Sequence, residues 1–372
     1  MRPIAVALIV IVVGYGCGGS GPDPAAPTSV SAGSTTPPQD PTPPPAPPPP
    51  PAPPPSPAPP PPAPPPPPTG PKYSIALTLV DVMSGGGLAG ISVSGTGLIN
   101  TTPSSSTGAI TIGADDSGPR DVTLSGPGVV TRTTQLRVPA PAATVSLMSA
   151  GFDVPAFDQL CRQPAIHRWL ASPAVVVEAR VLEFTSFADG TMPASAVIEQ
   201  DAPTRQVAQD MQSVLADLTG GHFTAFASIA LQHSAEAAAV PIMVSGRITV
   251  ARVTGMYAAT GFGGFTRWEI GPAGDVRSAS ILLDTQFDNP TSGSATVLRM
   301  HEFGHALGLT HVINRPSLMN PSAGAGPTPF DRDATRIAWE RPIGNQSPDN
   351  DPSGATINRL TRAYWTNAEG VR

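Results

Sequence analysis

The chain has 372 residues, among them 49 prolines, 37 glycines and two cysteines, and a formal net charge of −6 with only 13% charged residues. No basic stripe suits nucleic acid and no cationic amphipathic helix suits a membrane surface, which sets both partner classes aside. Once the segments that cannot form a core are discounted, the remaining length holds one small and one medium domain, and the chain reads as a monomer.

At the N-terminus, Arg2 precedes an apolar run from Ile4 to Val13, which ends in Gly14-Tyr15-Gly16-Cys17. About ten apolar residues are too few to span a bilayer but suit the core of a signal peptide. Residues 1–16 are thus expected to direct export. Cys17 closing such a run resembles the lipobox of bacterial lipoproteins, which implies a lipid anchor to the cell envelope on that residue. Cleavage near Gly16, giving an extracellular protein, is the rival. Residues 17–71 form a tether, and from 37 to 71 they are nearly continuous proline. Such a run adopts polyproline II, so about 35 residues at ~3.1 Å each make a stiff spacer of roughly 100 Å. A docking track for SH3-type modules suits an exported chain poorly.

Residues 72–150 change to Thr, Val, Ser and Gly with little charge. Alternating runs such as Ser74-Ile75-Ala76-Leu77-Thr78-Leu79-Val80, Ile91-Ser92-Val93-Ser94 and Ala109-Ile110-Thr111-Ile112 lie between Gly-rich turns, as in a small antiparallel sandwich. The stretch from Val80-Asp81 to Gly90-Ile91-Ser92-Val93 resembles the carboxypeptidase-regulatory-like β-sandwich repeats of exported bacterial proteins. A spacer or adhesion module is the expectation, with specific ligand binding as the alternative.

Residues 151–372 carry the chemistry. Trp169 precedes an apolar run, Ala174 to Val181, that reads as a strand. Pro203 to Leu218 has helical spacing, with Val207, Met211, Val214, Leu215 and Leu218 on one face and Gly220-Gly221 as its stop. Further strands are expected at 241–253 and 278–284. The class is α+β.

His301-Glu302-Phe303-Gly304-His305-Ala306-Leu307-Gly308-Leu309-Thr310-His311 reads H-E-x-x-H-x-x-G-x-x-H. On a helix, His301 and His305 are one turn apart, so both imidazoles can reach one metal ion. Glu302 is rotated by roughly 100° from His301, too poorly aligned to ligate beside it but placed to accept a proton. Gly308 is the natural helix end, where positive φ carries no steric cost. The chain then returns with His311. Three protein ligands leave a fourth position open, the arrangement of a catalytic Zn²⁺ site as opposed to a closed structural one. Glu302 would act as general base and then general acid. A solvated or core-facing helix with fortuitous histidines is the bland rival. With 6 His and 37 Gly in the chain, chance supplies these residues at these offsets on the order of 10⁻⁸ per start position, so that rival is rejected.

The string resembles the metzincin metalloproteases and, within them, the matrixins, whose zinc helix is written H-E-x-G-H-x-L-G-L-x-H; Gly304, Leu307 and Leu309 complete that form. Pro316-Ser317-Leu318-Met319-Asn320-Pro321 resembles the metzincin Met-turn, and the resemblance implies that Met319 floors the metal without ligating it. Pro321 stands where the astacin and serralysin branches carry a Tyr. Thr328-Pro329-Phe330-Asp331 looks like a helix start, with Thr as N-cap, Pro at N1 and a carboxylate at N3. Matrixins likewise end on a helix with acidic residues, which Asp331 and Asp333 match. The family further implies a twisted mixed sheet, in which Ser278 to Leu283 would be the edge strand that pairs with extended polypeptide substrate. Ser322 to Pro329 would wall the pocket beyond the Met-turn.

His167, His222 and His233 are scattered, without the spacing of the matrixins' second, structural zinc site. Acidic residues around Asp284 and Asp288 are candidate Ca²⁺ ligands, although no D-x-D-x-D-G run exists and a solvated loop is the favoured reading. Cys161 invites comparison with the propeptide Cys that keeps matrixins latent. Its neighbours Arg162-Gln163-Pro164 do not match that switch, and a buried structural Cys is favoured. The expectation is a zinc metalloendopeptidase acting on polypeptides outside the cell, with scavenging and narrow toxin-like specificity both open. The competing class is a catalytically inactive surface adhesion protein that keeps the fold.

Overall fold

The structure is a computed structural model that describes residues 70–354, apart from 100, 101, 290, 291, 323, 324 and 353. The export signal, Cys17 and all but the end of the proline tether lie outside the described residues.

Strict alternation builds the first part. In β1 (Tyr73–Asp81) Ile75, Leu77 and Leu79 are buried at every second position, because successive side chains of a strand face opposite ways. It is followed by β2 (Ser92–Ser94), β3 (Leu98–Ile99), β4 (Ala109–Ala114), β5 (Gly118–Ser125), β6 (Arg132–Val138) and β7 (Ala143–Leu147). Two sheets, β3-β4-β1-β7 and β2-β5-β6, close on a core that includes Ile75, Ile91, Ile112, Leu124 and Leu136. This is the expected sandwich with one correction: β1 and β7 pair in parallel. No hairpin joins these first and last strands, since the chain visits the other sheet between them, so nothing local dictates an antiparallel pairing.

The second part contains α1 (Val154–Cys161), β8 (Ala174–Glu183), β9 (Thr191–Ile198), α2 (Asp201–Leu218), β10 (Ser228–Gln232), β11 (Ala239–Pro241), β12 (Arg247–Thr254), α3 (Met256–Thr260), β13 (Gly264–Ile270), β14 (Val276–Asp284), α4 (Gly293–Ala306) and α5 (Pro329–Glu340). The sheet runs β11-β9-β8-β12-β14-β13, with β10 also pairing β8. Strands β8, β10, β12 and β14 are parallel, while β9 and β13 run antiparallel to their neighbours. The sheet is mixed and the class α+β. The strand expected across 241–253 divides into β11 and β12, since Pro241 cannot extend the ladder.

The edge is corrected too. Ser278 to Leu283 lies in β14, an interior strand between β12 and β13, and every residue of β14 except Arg277 is buried. Strand β13 takes the edge. A run apolar on both faces, Ile281-Leu282-Leu283, is what an interior parallel strand requires.

Helix α2 presents Val207, Met211, Val214, Leu215 and Leu218 as one buried face, as its spacing predicts, and packs on α4 and α5. Val82 and Met148, which flank the sandwich, enter the core of this second part. Arg132 pairs with Asp351 at 2.7 Å, both side chains being almost wholly buried. Arg341 donates to Ser146 Oγ at 2.9 Å. The sandwich and the second part belong to one compact unit. No helix among the described residues is long and apolar enough to cross a membrane.

Candidate metal centre

Helix α4 delivers His301 and His305, and its C-cap is Leu307. Gly308 follows with φ of +99°, the left-handed turn predicted from sequence, which swings His311 back. A Cβ on Gly308 would also lie 2.7 Å from the His167 carbonyl oxygen, so a side chain is excluded twice over. The stretch that carries His311 is pinned by Thr310 N–H donating to the Leu160 carbonyl of α1 at 2.9 Å. The Trp169 indole N–H donates to the Ala306 carbonyl at 2.8 Å, satisfying one of the orphan carbonyls that a helix end leaves.

The three imidazoles converge through their Nε2 atoms. His305 Nε2 lies 3.1 Å from both His301 Nε2 and His311 Nε2, and the remaining pair is 3.3 Å apart. His301 Nδ1 sits 2.8 Å from the Leu318 carbonyl and His305 Nδ1 2.8 Å from the Leu309 carbonyl. A carbonyl only accepts, so each Nδ1 carries the proton and each neutral ring turns an Nε2 lone pair inward. Burial pushes His301 down to about 4, with the Leu318 hydrogen bond opposing and His311 assisting. Burial likewise lowers His305 and His311. Lone pairs gathered in this way repel one another unless a cation lies among them. Three nitrogens on a tetrahedral Zn²⁺ at about 2.0–2.1 Å stand about 3.3–3.4 Å apart, close to the spacing seen. The donor set fits a zinc-type ion.

Beneath the imidazoles lies the Met-turn-like segment. A Cβ on Gly304 would be 2.4 Å from Met319 Sδ, so the fully buried Met319 packs directly on α4. Asn320 ties the turn together by donating from Nδ2 to the carbonyls of Val312 and Arg315 at 2.6 and 2.9 Å. Thr328 and Asp331 form the predicted capping box of α5, with Pro329 at N1. Asp331 does more than sequence foresaw. Fully buried, it accepts from Ser317 Oγ at 2.5 Å and Leu318 N–H at 2.9 Å. It thereby holds Leu318, the residue whose carbonyl orients His301, directly at its N–H and through Ser317 Oγ, which accepts from Met319 N–H at 2.9 Å. Asp333 is on the same helix and is half-buried.

Glu302 is buried, 5% exposed. Burial pushes its carboxyl up to about 7, against the lowering effect of a hydrogen bond from Thr266. Thr266 Oγ1 is 2.7 Å from Glu302 Oε2. The Trp268 ring lies parallel to that of His305, with centroids 6.2 Å apart and 8° between planes. Both residues belong to β13, which sequence reasoning missed because the Gly-rich lead-in Gly261-Phe262-Gly263-Gly264 reads as loop. The available signal was Thr266 and Trp268 at alternate positions.

The remaining sequence candidates fall elsewhere. Asp284 and Asp288 are fully buried, not in a solvated loop. Asp284 accepts from the backbone N–H of Tyr257 and Gln286 at 2.8 and 2.9 Å. Asp288 pairs with Arg299 and with Arg252. Asp284 thus accepts from two backbone N–H groups, and the charge of Asp288 is met by two guanidiniums, so protein partners occupy both carboxylates. His167 contacts the Gly274 carbonyl, His222 stacks on Trp339 and His233 faces Asp201. Cys161 is a buried free thiol in the core. Burial raises it far above the ordinary thiol range, which disfavours the thiolate that a latency switch needs.

No family model matches the chain, and no curated protein matches it. Among solved structures, a group B streptococcus pilus 2b backbone protein aligns at 12% identity with a TM-score of 0.18, covering 21% of this chain and 42% of that one. A likeness this slight bears on neither fold nor function. Among the described residues, the one group of His, Cys, Asp or Glu gathered tightly enough to hold a metal ion is His301, His305 and His311.

Proposed function

We propose that the chain is an exported, matrixin-like zinc endopeptidase that hydrolyses polypeptides, with His301, His305 and His311 as metal ligands and Glu302 as general base and acid. The observation that carries this reading is the triangle of Nε2 atoms, the lone pairs of His301 and His305 directed inward by backbone-locked Nδ1 protons, beside a buried carboxylate. Zinc, when bound, would supply Lewis acidity, acidifying water and polarising the scissile carbonyl.

The chain's own groups do the rest. Glu302 takes a proton from the attacking water and returns it to the leaving amine. The free edge of β13 offers main-chain N–H and C=O groups to an extended substrate, which explains recognition of main chain with little sequence demand. His301 and His305 stay neutral, so no proton competes for their Nε2 atoms. Export rests on the N-terminal apolar run and on Cys17.

Metal analysis of the purified full chain should give about one zinc per molecule. An unstructured polypeptide should be cleaved, with loss of cleavage under chelator and recovery on adding zinc. Zinc near zero in folded protein, or no cleavage at full zinc, would replace the enzyme with the adhesive reading.

A further inference from the structure

Strand β13 faces the general base through two residues. Thr266 Oγ1 lies 2.7 Å from Glu302 Oε2 and 2.9 Å from the Glu302 main-chain carbonyl. Its hydroxyl has one hydrogen to give. An ionised carboxylate is the stronger acceptor, and the main-chain carbonyl already lies in a helix ladder, so the hydrogen goes to Oε2. Gly264, two residues earlier on the same face, makes the space: a Cβ there would sit 2.5 Å from Glu302 Oε1 and 2.8 Å from its Cγ.

We propose that Thr266 is the positioning residue of Glu302, fixing the carboxylate through Oε2 so that Oε1 is left to exchange protons, with Gly264 holding that rotamer open. This rests on the endopeptidase reading above. A buried glutamate has three side-chain torsions, and among the described residues the hydrogen bond shown for its carboxylate is the one from Thr266. Without the hydroxyl nothing on β13 holds Oε2, and the carboxylate would sample other rotamers. The strand offered to substrate is thus also the strand that aims the base.

The test uses full-length protein carrying Thr266→Val, which keeps the shape and removes the hydroxyl, Thr266→Ser, which restores it, and Gly264→Ala. Zinc content and thermal midpoint are measured for each. Thr266→Val should keep both while kcat falls about 10-fold or more, with KM within about twofold, and Thr266→Ser should recover kcat to within about threefold of wild type. Gly264→Ala should lose kcat in the same manner. Crystal structures of metal-free wild type and Thr266→Val supply a readout independent of activity: one Glu302 conformer in the first, a displaced or multiple one in the second. Unchanged kcat in Thr266→Val, or a Glu302 carboxylate that stays in place, overturns the proposal. A wild type that cleaves nothing overturns the endopeptidase reading instead, and the crystallographic comparison then decides the role of Thr266.

Discussion

Replacing Asp331 with Ala should damage the metal centre from one helix away. The carboxylate is fully buried and holds Ser317 Oγ, Leu318 N–H and both the backbone N–H and hydroxyl of Thr328. Removing it orphans two buried donors, Leu318 N–H and the Ser317 hydroxyl. At about 1–3 kcal/mol for each buried donor left unpaired, with part of the helix cap lost as well, the metal-free protein should be less stable by about 3–5 kcal/mol. Leu318 then moves, and its carbonyl no longer fixes His301, so zinc affinity should fall about 10- to 100-fold. Urea unfolding in chelator reads the first effect and competitive zinc titration the second. Asp331→Asn is the control. Its carbonyl oxygen can take the three donors at Oδ2 and its amide can donate to Ser317, so it should recover most of both losses. A stability loss below about 1 kcal/mol with unaltered zinc affinity would refute the proposed linkage from α5 through the turn to His301.

Gly308→Ala places a side chain at φ of +99° and against the His167 carbonyl, so urea unfolding should show a loss of about 1–3 kcal/mol, accompanied by weaker zinc binding. Deleting residues 70–150 removes Val82 and Met148 from the second core and leaves Asp351 without Arg132. The remaining chain should lose its cooperative unfolding transition, and an unchanged urea midpoint would show the sandwich to be a detachable spacer. His305→Ala should lose zinc and cleavage together, whereas retained zinc stoichiometry would remove His305 from the ligand set.

Most of the candidate metal site was legible because the grouping of its histidines is local. Two histidines one turn apart, a glycine that must turn and a third histidine lie within eleven residues; the helix period places the first two and the turn at Gly308 returns the third. The α5 cap was legible for the same reason, since Thr328, Pro329 and Asp331 act within one turn. What sequence misjudged depends on distant pairing. The family resemblance points to Ser278–Leu283 as an edge, but strand order is set by pairing with β12 and β13, which lie outside the segment. Thr266 reaches Glu302 across 36 residues, and no spacing rule predicts that approach. Asp331 was seen as a cap, but its bonds to Ser317 and Leu318 depend on where the preceding turn folds. Asp288 looked solvated because its partner Arg252 lies on β12, 36 positions earlier.

The most direct test of the central claim is Glu302→Gln in the full-length protein, with zinc content and cleavage of an unstructured polypeptide measured on the same preparation. Gln preserves the size and the Thr266 contact but cannot accept a proton as a base. Zinc should stay at about one per chain while cleavage falls by at least about 10²-fold, the low end of what a general base contributes. Cleavage as fast as wild type at full zinc would contradict the account.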